Sequence, residues 1–239
     1  MKRFAVILGA SGEIGESIAR ELAGEGWSLY LHWHSRNIEP LAEALAEQFA
    51  GQEFIPVQAD FSQVDGADRL AQAVFDASCI IVASGHDLVK MLIDTTEEDM
   101  NKLWRVHVQN PVASIRKISP FFQRHPKTYI VFISSIWGQA GASMETIYSS
   151  VKGAQLAFVK AYAKEMAPVG TRVNAIAPGF IMTKMNSHLD QEELEAIVED
   201  IPLGIGAPQD IAHMTAFLVS GKADYVTGQT MSVNGGWYI

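Results

Sequence analysis

The chain has 239 residues, 48% of them hydrophobic and 19% charged, with a formal net charge of −9. That length and composition suit a single globular domain, 1–239, with a large core. The acidic balance, with no Lys/Arg cluster beyond Lys2-Arg3, argues against nucleic acid and anionic membranes as partners, and no apolar run reaches membrane-spanning length.

Apolar runs alternate with helical patterns from one end to the other. The stretch Phe4–Leu8 follows the basic pair but is too short for the core of a signal peptide; it runs into a Gly-rich turn and reads as a first strand, 4–8. Further strands are expected at 28–32, 54–58, 79–83, 129–134, 172–177 and 231–233. Most lack in/out alternation, as expected of parallel strands covered on both faces. The fourth holds the single cysteine, Cys79, which reads as a core thiol with neither a disulfide partner nor metal-ligand spacing. No metal is expected, and a reducing cytoplasm fits. Helices are expected at 14–24, 39–50, 65–76, 97–122, 148–167, 190–199 and 208–219, with Gly26, Gly51, Gly170 and Gly221 punctuating several ends. Continuous strand–helix alternation predicts βαβ units and a doubly wound α/β fold around a mainly parallel seven-stranded sheet. The longest unassigned stretches, 135–147 and 178–189, both follow strand C-termini, where open α/β sheets bind ligands.

The turn after the first strand, LGASGEIGES, carries Gly9, Gly12 and Gly15 and opens a helix. Small residues there let the backbone approach a pyrophosphate, and the helix N-terminus offers free N–H groups. Taken alone, the pattern also suits a tight structural turn. Glu13 sits awkwardly in it, because a carboxylate beside a diphosphate is unfavourable unless it points away. After the second strand comes HWHSRN, with no acid before Glu39 to receive ribose hydroxyls. His34, Ser35 and Arg36 suit a 2′-phosphate, with Arg36 as its charged partner, so NADP(H) is expected over NAD(H).

The segment IYSSVKGA places Tyr148 and Lys152 four residues apart, on one face of a helix. By itself such a pair reads as packing. Together with GASGEIG (9–15), AD (59–60), Ser135 thirteen residues before Tyr148, VNAIAPGFIMT (173–183) and YVTGQTMSVNGG (225–236), it resembles the short-chain dehydrogenase/reductase family over nearly the whole chain. The pattern is most similar to the 3-oxoacyl-(acyl carrier protein) reductases; SSIWG, ASG and VNGGWY also resemble the bacterial elongation factor P 5-aminopentanone reductases, a branch of the same family. The resemblance implies a Rossmann-type domain and an oxidoreductase acting on CH–OH groups. Tyr148 would be the general acid in ketone reduction, Lys152 would favour its phenolate and hold the nicotinamide ribose, and Ser135 would orient the substrate oxygen. It further implies cofactor contacts from Gly9, Ser11, Gly12, Ile14, Gly15, Asp60, Phe61, Ala83, Ser84, Gly85, Pro178, Gly179, Ile181 and Thr183. The substrate pocket would lie around Trp137, Gln139, Met144, Met182 and Met185. A homotetramer, or else a dimer, is implied; the apolar residues of 148–167 occupy more than one stripe, which agrees.

Three positions depart from the family pattern. Val82-Ala83-Ser84-Gly85 replaces the usual Asn-Asn-Ala-Gly, and Glu13 replaces a glycine. The tetrad asparagine position falls by ungapped counting on His107 in WRVHVQN, with Asn110 close by but out of register. A neutral histidine can donate one hydrogen bond and accept another, so it can substitute; it can equally be packing. The substrate is expected to be a small-molecule ketone or one linked to a carrier or a protein. Val169 stands before Gly170 where a carrier-docking site has a basic residue, only Arg124 and Lys127 lie nearby, and the net charge disfavours an acidic carrier.

Overall fold

The computed structural model describes residues 2–184 and 190–239. Seven strands form one all-parallel sheet: β1 (Arg3–Leu8), β2 (Trp27–Trp33), β3 (Phe54–Gln58), β4 (Cys79–Val82), β5 (Thr128–Ile133), β6 (Thr171–Pro178) and β7 (Thr230–Val233). They lie in the order β3-β2-β1-β4-β5-β6-β7, each hydrogen-bonded to its neighbours. This is the doubly wound, Rossmann-type arrangement that the strand–helix alternation predicts. β5 is buried at every position, and β1 at all but its first, which explains the missing alternation in their sequences.

Successive residues of β1 serve opposite faces. Ala5 and Ile7 join a core with Ile18 and Leu22 of α1 (Glu13–Gly24), Leu41 and Leu45 of α2 (Glu39–Gln48), and Ile211 and Leu218 of α9 (Pro208–Val219). Phe4, Val6 and Leu8 join the other core, with Leu70 of α3 (Gly66–Ala73), Ile115 of α5 (Asn110–Ile118), and Leu156 and Val159 of α7 (Thr146–Met166). On α7, Phe158, Tyr162 and Met166 also pack against this core, leaving Ala157 and Ala161 exposed. Cys79 is fully buried and free. Among the described residues, no helix is long and apolar enough to cross a membrane.

One expected element divides. The sequence predicts a single helix over 97–122; the structure has α4 (Glu97–Trp104), a π-turn (Arg105–Gln109), α5 and a final 3-10 stretch (Ser119–Arg124). Pro111 explains the break. It has no N–H to give to the carbonyl four residues back, and its ring crowds that carbonyl, so the coil widens around residue 107. The freed carbonyl of His107 instead accepts from the buried Gln155 amide on α7 at 2.8 Å. Pro120 then ends α5 in the same way. The short α6 (Trp137–Ala140) and the α8 helix (Gln191–Glu199) complete the fold. The strand order reverses between β1 and β4, and the site opens outside the carboxyl ends of these strands.

Candidate active site

A cavity of about 670 Å³ runs along the carboxyl edge of the sheet. One end is the β1–α1 turn. Gly9 adopts φ +84°, and a Cβ there would lie 2.6 Å from the Ser84 Cα; a Cβ on Gly15 would lie 2.2 Å from the Gly9 carbonyl oxygen. At Gly12 a Cβ would meet only that oxygen, at 3.5 Å, so the turn keeps a bare backbone toward the cavity. Beneath it, His32 joins two loops: its Nδ1 accepts from the Gly9 N–H at 3.0 Å and its Nε2 donates to the Ala59 carbonyl at 3.0 Å. Burial pushes its pKa down to about 4, so this strut is neutral. Glu13 turns its carboxylate onto the Lys184 backbone N–H, which gives the negative charge a partner in the cavity wall.

The other end holds the predicted catalytic group. Lys152 is 5% exposed; its Nζ donates to the Ile133 carbonyl at 3.0 Å and lies 5.5 Å from the centre of the Tyr148 ring. Burial lowers its pKa from 10.5 to about 7. Burial, then the Glu145 carboxylate, push the Tyr148 phenol up, and Asp87 adds to this; the Ser135 hydroxyl works the other way. The sequence reading expects Lys152 to draw Tyr148 toward ionisation. That expectation includes the positive charge of an oxidised nicotinamide; in the protein by itself, desolvation and the nearby carboxylates hold the phenol above its usual range. The Ser135 Oγ accepts from the Trp137 N–H at 3.1 Å, which leaves its own proton free to donate.

His107 is fully buried, which suits a tetrad substitute and a packing residue alike. Its ring packs edge-on to Tyr148 with centres 5.7 Å apart. Its Nε2 lies 2.9 Å from the His86 carbonyl and 3.2 Å from the His86 N–H, and Nδ1 has no partner among the described residues. Burial, Lys152 and His86 hold its pKa well below the usual value. A Cβ on Gly85 would lie 2.5 Å from its Cε1, so this ring requires that glycine. Asn110 is no alternative: it accepts from the Ala67 N–H at 3.0 Å and donates to the Phe61 and Gln63 carbonyls at 2.8 and 2.7 Å, pinning α5 to the loop before α3.

Of the expected cofactor residues, Ser11, Gly12, Ile14, Gly15, Arg36, Ala83, Ser84, Gly85, Pro178, Gly179, Ile181 and Thr183 line the cavity. Others lie outside its wall. Phe61 is buried and stacks on His32 at 4.2 Å; Asp60 pairs with the exposed His34 at 3.4 Å; Ser35 is exposed. On the substrate side Trp137 lines the cavity, but Gln139 is exposed and accepts from Ser232 at 3.3 Å, and Met144 and Met182 are 43% and 47% exposed. Met185 falls outside the described residues. The cavity gains His86, Asp87, Val89, Glu145 and Trp237, which the sequence reading did not select. Glu145 is the N-cap of α7, three residues before Tyr148, a spacing visible in the sequence.

A parallel sheet with its switch point at a glycine turn, feeding a cavity floored by Ser, Tyr and Lys, defines a dinucleotide-dependent oxidoreductase. Residues 9–238 match the family model described as enoyl-(acyl carrier protein) reductase. The chain is 43% identical over 242 residues to the uncharacterized oxidoreductase YmfI of Bacillus subtilis (strain 168), with 100% of each chain covered. It is 32% identical over 246 residues, again covering 100% of each, to the 3-oxoacyl-(acyl carrier protein) reductase FabG of Staphylococcus epidermidis. The solved L-sorbose reductase of Gluconobacter frateurii, complexed with NADPH and L-sorbose, superposes with a TM-score of 0.91 at 26% identity, over 99% of this chain and 96% of that one. The chain belongs to the short-chain dehydrogenase/reductase family.

Two outcomes are expected from these charges. Lys152 has a folded pKa of about 7 against 10.5. Between those values the unfolded chain binds the extra proton, so the stability of the protein without added ligand rises with pH across that window, and the burial cost is fully present below it. Lys152→Met is therefore expected to stabilise by a few kcal/mol at about pH 6 and by less at about pH 9 in urea unfolding. For His107, Asn is expected to retain turnover better than Ala, because only Asn can meet the His86 backbone. The pH–rate profiles of wild type and His107→Asn should superimpose above about pH 6.5, since the buried imidazole is already neutral there. Wild-type activity in both variants would make His107 packing.

Proposed function

We propose that the chain is an NADPH-dependent ketone reductase in which Tyr148 donates the proton. The observation that carries this reading is the convergence of Ser135, Tyr148 and Lys152 at one end of a cavity whose other end is the glycine turn and Arg36. Those residues fit NADP(H): bare backbone at Gly12, a helix N-terminus behind it and, on the same turn, the Arg36 guanidinium, which would pair with a 2′-phosphate. When bound, the reduced nicotinamide supplies a hydride to the carbonyl carbon. Ser135 donates a hydrogen bond to the carbonyl oxygen and fixes it near the phenol. Tyr148, kept protonated by burial and Glu145, gives its O–H proton to that oxygen as the charge develops. The phenolate left behind is stabilised by the charged form of Lys152, whose position the Ile133 carbonyl fixes. Neutral His107 supports this set without adding a second buried cation. Solvent returns the proton to Tyr148.

The substrate reading rests on charge. Glu145 and Asp87 both line the cavity close enough to Tyr148 to raise its pKa; of the lining cations, Lys152 is pushed toward its neutral form, and Arg36 and the Lys184 backbone bond to the β1–α1 turn through Ser11 and Glu13. Two carboxylates beside the reacting carbonyl favour a ketone that carries an ammonium group, such as a protein-linked 5-aminopentanone, over a 3-oxoacyl thioester on an acidic carrier. Two alternatives are an alcohol dehydrogenase working toward oxidation and a non-catalytic NADP-binding regulatory protein.

Tyr148→Phe is expected to lower NADPH-dependent ketone reduction at least about a hundredfold while leaving the fold intact by circular dichroism. Near-normal turnover in the folded variant would remove Tyr148 as the acid, and an absence of turnover with any ketone in the wild type would favour the regulatory alternative. In a matched series of ketones ending in ammonium, methyl or carboxylate, kcat/KM should favour the ammonium over the carboxylate by about tenfold or more, about 1.4 kcal/mol. Glu145→Gln should narrow the gap. Equal values across the series would return the choice to the thioester.

A further inference from the structure

Arg36 is anchored to the cofactor turn. Its Nη1 donates to the Ser11 carbonyl at 2.9 Å, and its Nη2 donates to Glu16 Oε2 at 3.2 Å. Ser11 lies in the β1–α1 turn, which lines the cavity, and Glu16 in the first turn of α1, which that turn opens. The second oxygen of the same carboxylate, Oε1, accepts from Arg20 Nη2 at 2.9 Å and Nε at 3.3 Å. One carboxylate thus joins two guanidiniums, and the triad keeps one net positive charge. Arg36 lies on the exposed loop after β2, with a side chain 54% exposed, while Glu16 is only 24% exposed. A long side chain on such a loop would otherwise sample many rotamers, and a planar fork is useful to a phosphate only when held in one orientation.

We propose that Glu16 is a positioning residue for cofactor selectivity: it holds Arg36 against the glycine turn in the orientation that receives a 2′-phosphate. This rests on the NADP(H) reading above. Two effects oppose each other here. The Glu16 carboxylate repels an incoming phosphate, but the repulsion is screened at a wet surface and offset by Arg20 on its other oxygen. Fixing the Arg36 fork beforehand removes an ordering cost that binding would otherwise bear. The second effect wins, so removing Glu16 weakens phosphate recognition although it removes a negative charge.

The test is fluorescence titration of the full chain with NADPH and with NADH, for wild type, Glu16→Gln, Glu16→Ala and Arg36→Ala. Glu16→Ala is expected to weaken NADPH binding about tenfold, equivalent to about 1.4 kcal/mol, and to leave NADH binding unchanged. Glu16→Gln keeps an oxygen acceptor for Arg36 and should retain most of the selectivity. Arg36→Ala should lose it. If Glu16→Ala binds NADPH as tightly as wild type or more tightly, Glu16 is a competitor and the proposal fails. An equal loss for both nucleotides would mean that Glu16 acts on the turn as a whole, which also overturns it. If Arg36→Ala leaves the NADPH preference intact, the 2′-phosphate reading beneath the proposal fails, and the proposal with it.

Discussion

At the carboxyl ends of β1 and β4 two stretches of backbone approach closer than any side chain allows. A methyl group on Gly9 would collide with Ser84, and one on Gly15 with the carbonyl of Gly9 itself. This close approach sets the geometry of everything around it. It folds the start of α1 back so that its free N–H groups face the crevice, and it lays Ala83–Gly85 along the cavity wall. It also gives His32 a fixed target: the neutral ring ties the Gly9 N–H to the Ala59 carbonyl and so links the loops after β1 and β3. Arg36 then docks on the same turn through Ser11 and Glu16. Replace either glycine and the floor on which these contacts stand has to move.

The opposite end of the cavity is governed by desolvation. Lys152, Tyr148 and His107 are packed together where water is scarce, and each is pushed toward its neutral form. That arrangement is unfavourable for folding, and under the proposed ketone reduction it is useful. A phenol that stays protonated has a proton to give. A lysine that titrates near neutrality is sensitive to any charge placed beside it. A neutral histidine can take up the position of an amide without adding a buried cation. The carboxylates of Glu145 and Asp87 push in the same direction for the phenol, so burial and local charge cooperate.

His107 reaches this cluster through a chain of local causes. Pro111 cannot continue the helical ladder, the coil widens into a π-turn, and the carbonyl this releases is captured by Gln155. Gly85 leaves the space that the ring fills. Counting residues against the family pattern arrived at His107, and Pro111 stood in the sequence as a visible signal that the helix expected over 97–122 would divide. What the count lacked was the partner, a glutamine on α7 forty-eight positions away.

The sequence by itself determined the strands, the layer order, the glycine turn and the shared face of Tyr148 and Lys152. Each depends on near neighbours: the period of apolar residues, the absence of side chains at three glycines, a four-residue helical spacing. Only the tertiary structure decided which loop side chains enter the cavity. Gln139 turns away because Ser232 holds it, Phe61 because it stacks on His32, and the Met182 backbone follows Gly206. Glu145, Asp87, His86 and Trp237 enter instead, from three separate segments. A loop has no repeating geometry to fix where its side chains point; their direction is set by partners distant in the chain, and those partners meet only once the sheet has assembled.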